Sequence, residues 1–292
     1  MRLDTPEGNL KPSRREIAGS VFFSGFAPAA LAACASPVAT PGDDLILADV
    51  SFAGAGGYDL PAYLARPRGE GRRGTVIVVN EIFGIHEYIK DVCRRFAREG
   101  YVALAPDYFD RAGDPAPLTD MNAIREIVAT ATNEQVMGDT QGALNWLGAQ
   151  RFANSAAVGV TGFCWGGAVV WMACARLSGI KAGVAWYGRL APPQPGGFGA
   201  EEQRQWPLDI ASGLRTPVLG LYGENDRGIP VSTVEQMRAA LAAAGNVSGS
   251  ELIVYPGVGH GFHADYRESY DAAAAADGWA RCLAWFRDHG VT

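Results

Sequence analysis

Apolar and polar positions alternate in blocks whose period changes repeatedly along the chain. After a polar joint at Pro41-Gly42-Asp43-Asp44, the segments Leu45 to Phe52 and Tyr58 to Ala65 flank Ala-Gly-Ala-Gly-Gly, a spacing that predicts a hairpin. Val76-Ile77-Val78-Val79 is a continuous apolar run, the pattern of a strand buried on both faces, and a helical segment through Arg98 follows, stopped by Gly100. Tyr101 to Ala105 predicts a second buried strand. Helical periodicity returns over Met121 to Ala131 and Val136 to Leu147 before a strand at Ala157 to Thr161. The alternation continues with a helix from Gly166 to Leu177, a strand near Gly183 to Tyr187 and, after a Pro/Gly-rich insertion, a strand at Pro217 to Tyr222. A helix at Val231 to Ala244, a strand at Glu251 to Tyr255 and a helix at Ala272 to Asp288 close the chain. Sustained alternation with apolar strands predicts an α/β fold with a mainly parallel sheet covered by helices on both faces, and its chemistry at the carboxyl ends of the strands. The stretch Leu190 to Ser212 is expected to be a loop, either a lid over the site or a solvated excursion.

With 48% apolar and 19% charged residues, the chain has the balance of a packed globular protein. Its net charge of −6, without a basic stripe or a phosphate-cradling glycine motif, gives no reason to expect nucleic acid, and points to a small-molecule partner. Residues 1–40 read as an export leader and linker, and 41–292 as one domain. Ser13-Arg14-Arg15 precedes an almost uncharged stretch from Ile17 to Ala33, too short and too rich in Gly and Ala for a spanning helix. The arginine pair resembles a twin-arginine signal. Leu31-Ala32-Ala33-Cys34 resembles a lipoprotein cleavage box with Cys34 as the lipidated residue, the alternative being simple cleavage after Ala33 or Ala35. The expected location is exported, periplasmic or membrane-anchored, with membrane contact through the lipid or an uncleaved leader alone. Cys93, Cys174 and Cys282 fall among apolar neighbours in helices and read as small buried residues.

Gly162-Phe163-Cys164-Trp165-Gly166-Gly167 lies between a predicted strand and a predicted helix, the context of a nucleophile elbow with Cys in the place of Ser. Flanking glycines suit a turn that brings strand and helix backbones close, and the helix N-terminus behind Cys164 favours a thiolate. Tyr222-Gly223-Glu224-Asn225-Asp226 follows a later strand and Gly257-Val258-Gly259-His260-Gly261-Phe262 the next, giving the order nucleophile, Asp, His. His263 competes with His260 for the role of base, whereas His86 opens a helix and His289 ends one. A histidine pair at this spacing has no third ligand cluster beside it, so no metal is expected.

Asn80-Glu81-Ile82-Phe83-Gly84, the Gly-Phe-Cys-Trp-Gly-Gly elbow, the Gly-Glu-Asn-Asp turn and the Gly-His-Gly-Phe turn together resemble the dienelactone hydrolase family of α/β-hydrolases, from about Leu45 to the C-terminus. The resemblance implies hydrolysis of a lactone or small ester, such as carboxymethylenebutenolide, through a cysteine and a thioester, without metal or cofactor. It implies Cys164 as nucleophile, His260 as base, Asp226 as its orienter and Glu81 as the carboxylate beside the thiol, with the backbone N–H groups of Trp165 and Ile82 as the oxyanion hole. Arg111, after Pro106-Asp107-Tyr108-Phe109-Asp110, takes the place of a family arginine that binds the substrate carboxylate. At the place of a second such arginine the chain has Ala264, and Arg267 is the candidate replacement. A broad carboxylesterase acting on another small acyl substrate, and a non-catalytic exported binding protein, are the other readings.

Overall fold

The computed structural model describes residues 38–193 and 204–292. The arginine pair, the apolar leader and Cys34 lie outside the described residues. Where description begins, the backbone N–H groups of Val38 and Thr40 donate to Asp265 and Asp91 at 3.3 and 2.6 Å, fastening this end of the chain to the helical layer.

Strands β1 (Leu45–Ala53) and β2 (Asp59–Pro67) form the expected hairpin, in register from Leu45 opposite Pro67 to Ala53 opposite Asp59, around a short 3-10 turn at Ala55–Gly57. Strand β3 (Arg73–Val79) precedes helix α1 (Glu87–Arg98), and β4 (Val102–Pro106) precedes α2 (Met121–Thr130) and α3 (Asn133–Ala149). Strand β5 (Ala153–Phe163) runs through the elbow into α4 (Trp165–Arg176), followed by β6 (Ile180–Trp186). The segment expected to be a loop contains helix α5 (Pro207–Ile210) and a 3-10 turn (Ala211–Gly213). Pro207 occupies the first helical position, where its missing N–H costs nothing, and the Asp209 carboxylate accepts from the Trp206 N–H at 2.8 Å. Four residues are too few for the period-based reading to register. Strand β7 (Val218–Gly223), α6 (Val231–Ala243), β8 (Glu251–Tyr255) and α7 (Ala272–Asp288) complete the order.

The eight strands form one sheet in the order β1-β2-β4-β3-β5-β6-β7-β8. Strand β2 runs antiparallel to both neighbours, and all pairings from β4 to β8 are parallel. The chain therefore has the α/β-hydrolase architecture. Val76 to Val79 and Val102 to Ala105 are fully buried, as strands covered on both faces must be. On one face Phe96 of α1 meets Trp279 and Phe286 of α7 at ring-centroid distances of 4.5 and 6.1 Å. Helices α3 and α4 pack against each other over β5 on the other. No helix among the described residues is long and apolar enough to cross a membrane.

Strand β5 lies between β3 and β6, so its carboxyl end opens on the middle of the sheet rather than on an edge. The turn there is a tight approach of helix to sheet. A Cβ on Gly162 would stand 2.3 Å from the Gly166 carbonyl oxygen, and one on Gly166 would stand 2.5 Å from that of Val79 and 2.6 Å from that of Asn80. These neighbours are backbone atoms and cannot rotate away. Gly166→Ala is accordingly expected to lower stability by about 1–3 kcal/mol, the range typical of overpacking. Chemical denaturation of the variant beside the wild type measures it.

Candidate active site

The strained turn places Cys164 at φ 55° and ψ −113°, a conformation that L-residues adopt only when the surroundings impose it. The Cys164 N–H donates to the Trp186 carbonyl at 3.0 Å and its carbonyl accepts from Gly167 N–H at 3.0 Å, so the backbone is tied on both sides of the reactive atom. The side chain sits at the N-terminus of α4 and lines a cavity of about 560 Å³.

His260 and Asp226 line the same cavity. They come from the turns after β8 and β7, and the backbone Asn225 N–H donates to the Val258 carbonyl at 2.8 Å, locking one turn on the other. Imidazole Nδ1 of His260 and Oδ2 of Asp226 are 2.6 Å apart, and the second carboxylate oxygen accepts from the N–H groups of Gly228 and Ile229 at 2.8 and 3.0 Å. The buried carboxylate is thus fixed from both ends and orients the ring. Burial acts to lower the His260 pKa, but the negative charge of Cys164 and the bond to Asp226 overcome it and push the value up to about 10.

His263 is not a second base. Its Nδ1 shares a 2.6 Å hydrogen bond with the Tyr88 hydroxyl, and its ring packs on Trp186 and Phe163 at 4.5 and 5.3 Å. Burial, with the nearby Arg95 charge, drives its pKa down to about 3, so it is a neutral core residue. His289 caps the end of α7 and bonds the Trp285 carbonyl, and His86 occupies the N-cap of α1.

Glu81 follows β3 and is completely buried. Arg267 donates to one of its oxygens at 3.0 Å and Tyr266 to the other at 2.7 Å, with His86 Nε2 at 3.6 Å. Burial would raise its pKa, yet His86, Arg267 and Tyr266 together lower it, and the carboxylate is ionised. The resemblance implies a carboxylate acting directly on the thiol. In the structure both oxygens are engaged by other groups, and Arg267 is the cation whose field extends to Cys164. Ile82 and Trp165 line the cavity together with Cys164.

Arg267 lines the cavity, but the expectation for Arg111 is overturned. Its guanidinium is bidentate to the buried Asp139 at 2.8 and 2.8 Å, donates to the Ala55 carbonyl at 3.1 Å and stacks 4.2 Å over the Tyr58 ring. It fastens the β1–β2 turn to α3 and does not line the cavity. An arginine in a short motif carries no label for its acceptor; the buried acidic partner 28 positions later decides it. Conversely, sequence reading passed over Tyr187 and Tyr266. Tyr187 follows β6 at φ 38° and packs edge-on against His260 at 5.1 Å, and the signal for it was available: an aromatic residue before Gly188 at the carboxyl end of the strand beside the elbow.

Comparison with known proteins agrees with this geometry. The model of the dienelactone hydrolase family matches residues 60–290. The chain belongs to the dienelactone hydrolase family. It is 44% identical over 281 residues to a Methylorubrum extorquens protein, covering 96% of this chain and 94% of that one, and 45% identical over 269 residues to one from Escherichia coli K12, covering 91% and 96%. Both carry the name "Putative carboxymethylenebutenolidase". The crystal structure of a "Putative Dienelactone Hydrolase" from Klebsiella pneumoniae superposes with a TM-score of 0.77 at 43% identity, covering 83% of this chain and 98% of that one. The protein is a hydrolase of the carboxymethylenebutenolidase type with a small-molecule substrate.

Two outcomes follow from the site. The His260 charge stabilises the fold fully below the ring's ordinary value of 6.5 and is lost as pH rises towards about 10. NMR titration of the His260 ring should show its midpoint near the upper value, moving down in Cys164→Ser, which removes the neighbouring sulfur. Arg111→Ala leaves Asp139 buried without a counter-charge and should cost about 3 kcal/mol of stability. Its KM for a carboxylate-bearing ester should stay within about twofold of wild type, checked by denaturation and steady-state kinetics.

Proposed function

We propose that the protein hydrolyses a lactone or ester through Cys164 as a covalent nucleophile. The observation that carries this reading is the left-handed Cys164 turn with His260, held by Asp226, beside the thiol in the same cavity. The thiolate attacks the substrate carbonyl while the oxyanion is received by the N–H groups of Ile82 and Trp165. Collapse breaks the carbon–oxygen bond of the leaving enolate or alkoxide, which takes the proton from His260, and leaves an acyl thioester on sulfur. Neutral His260 then removes a proton from water as it attacks the thioester; expulsion of the thiolate restores the ion pair and releases the acid.

Arg267 and Glu81 give this site a further part. A substrate carboxylate entering the cavity competes with Glu81 for Arg267, since both are anions within reach of one guanidinium. The names borne by the relatives favour a dienelactone such as carboxymethylenebutenolide as one such substrate.

Hydrolysis of a dienelactone and of p-nitrophenyl acetate by the purified protein, beside Cys164→Ala, tests the proposal. Wild-type turnover should fall by roughly 10⁶ in the variant, the scale seen when a nucleophile is removed. Mass spectrometry of rapidly quenched wild-type enzyme should find the acyl group on the peptide containing Cys164. Undiminished activity in Cys164→Ala would remove the thiol from the mechanism.

A further inference from the structure

The cavity does not stop at the reacting thiol. Helix α4 starts at the residue after Cys164, and Trp165, Ala168, Val169 and Met172 all line the cavity. That spacing is i, i+3, i+4, i+7, a single helical face, so the cavity follows α4 for two turns away from the sulfur. At about 1.5 Å of rise per residue the lined face is about 10 Å long. Val136 and Met137 of α3 stand opposite as a second wall, and Trp206 at the N-cap of α5 a third. Trp206, Val136, Met137, Val169 and Met172 are all buried. The polar residues Asn133, Arg204 and Gln205 beside them also line the cavity, Asn133 donating to the Gln205 carbonyl at 3.0 Å. On the other side of the site the lining residues Asn225, Arg227 and Gly228 are exposed.

We propose that this apolar arm is an acyl-chain subsite and that the enzyme prefers esters of medium-chain acids, about eight carbons long. The inference rests on the thiol-hydrolase reading of the site and names its substrate class. C–C bonds of about 1.5 Å project about 1.3 Å each along an extended chain, so the α4 face accommodates about eight of them. The asymmetry of the walls assigns the arm to the acyl half. The acyl group stays on sulfur until water arrives and can remain enclosed, whereas the alcohol departs first and needs the exposed side at Asn225 to Gly228. The wall chemistry fits a flexible chain: methionines on α3 and α4 adapt to an alkyl surface without polar groups that such a chain would leave unpaired. A dienelactone, a small ring with a short carboxylate arm, would leave most of the arm unfilled.

The test is kcat/KM for p-nitrophenyl acetate, butyrate, octanoate and dodecanoate with the full-length protein, together with calorimetric binding of octanoate and acetate to Cys164→Ala. Each buried methylene is worth about fourfold, so octanoate should exceed acetate at least tenfold in kcat/KM, with dodecanoate falling back. Octanoate, and not acetate, should bind the inactive variant. Met172→Trp, which fills the far end of the arm, should lower the octanoate-to-acetate ratio at least fivefold. Turnover that is flat across the series, with no octanoate binding, overturns the subsite and leaves the hydrolase reading standing. Octanoate binding to Cys164→Ala without hydrolysis of any ester by wild type overturns the hydrolase reading and retains the subsite. The wild-type series and the binding measurement decide the matter even if Met172→Trp does not fold.

Discussion

The approach of the β5–α4 turn to the neighbouring strand β3 is the constraint on which this molecule is built. Without side chains at 162 and 166, the helix backbone comes within contact distance of the Val79 and Asn80 carbonyls, and Cys164 is forced into a left-handed conformation between them. Strain of this kind costs of order 1–3 kcal/mol and persists because the flanking sheet is rigid and buried. What it achieves is placement. The sulfur stands clear of both the strand and the helix, at the end where backbone N–H groups and the helix dipole favour negative charge.

The remaining parts of the site answer to that placement. The turns after β7 and β8 are carboxyl ends two and three strands further along the parallel sheet, and the bond from the Asn225 N–H to the Val258 carbonyl ties them together. The chain after His260 is held down by Tyr88 on His263 and by the Asp265 carboxylate on Arg95, so the base is carried on a loop with a rigid footing. Asp226 holds the ring at 2.6 Å, and Cys164 and Asp226 together push the ring pKa up to about 10. A second pair, Glu81 with Arg267, lies close by.

Parallel strands of continuous apolar residues, helices with stop signals and turns rich in glycine were all legible in the sequence, because local periodicity and turn chemistry act within a few residues. So were Cys164, Asp226, His260 and Glu81 as candidates, since each follows a predicted strand at the end where such sheets work, and the structure brings the first three to one cavity. The roles of the arginines were not legible. Arg111 and Arg267 are equally charged and equally near a motif, and what separates them is whether the acceptor that reaches them is Asp139 of α3 or the buried Glu81 after β3. The acceptor in each case comes from a distant part of the chain.

What the sequence determined by itself is therefore the fold class, the order of elements and the set of reactive side chains, because these follow from patterns read over one turn or one strand. The tertiary structure decided which histidine is charged and which is neutral, since burial against Trp186 and Phe163 lowers His263 while the charge of Cys164 raises His260. It also decided the shape of the cavity, whose walls come from α3, α4 and the start of α5, segments that no local pattern brings together. Burial and charge proximity are properties of packing, and packing joins residues that the sequence holds far apart.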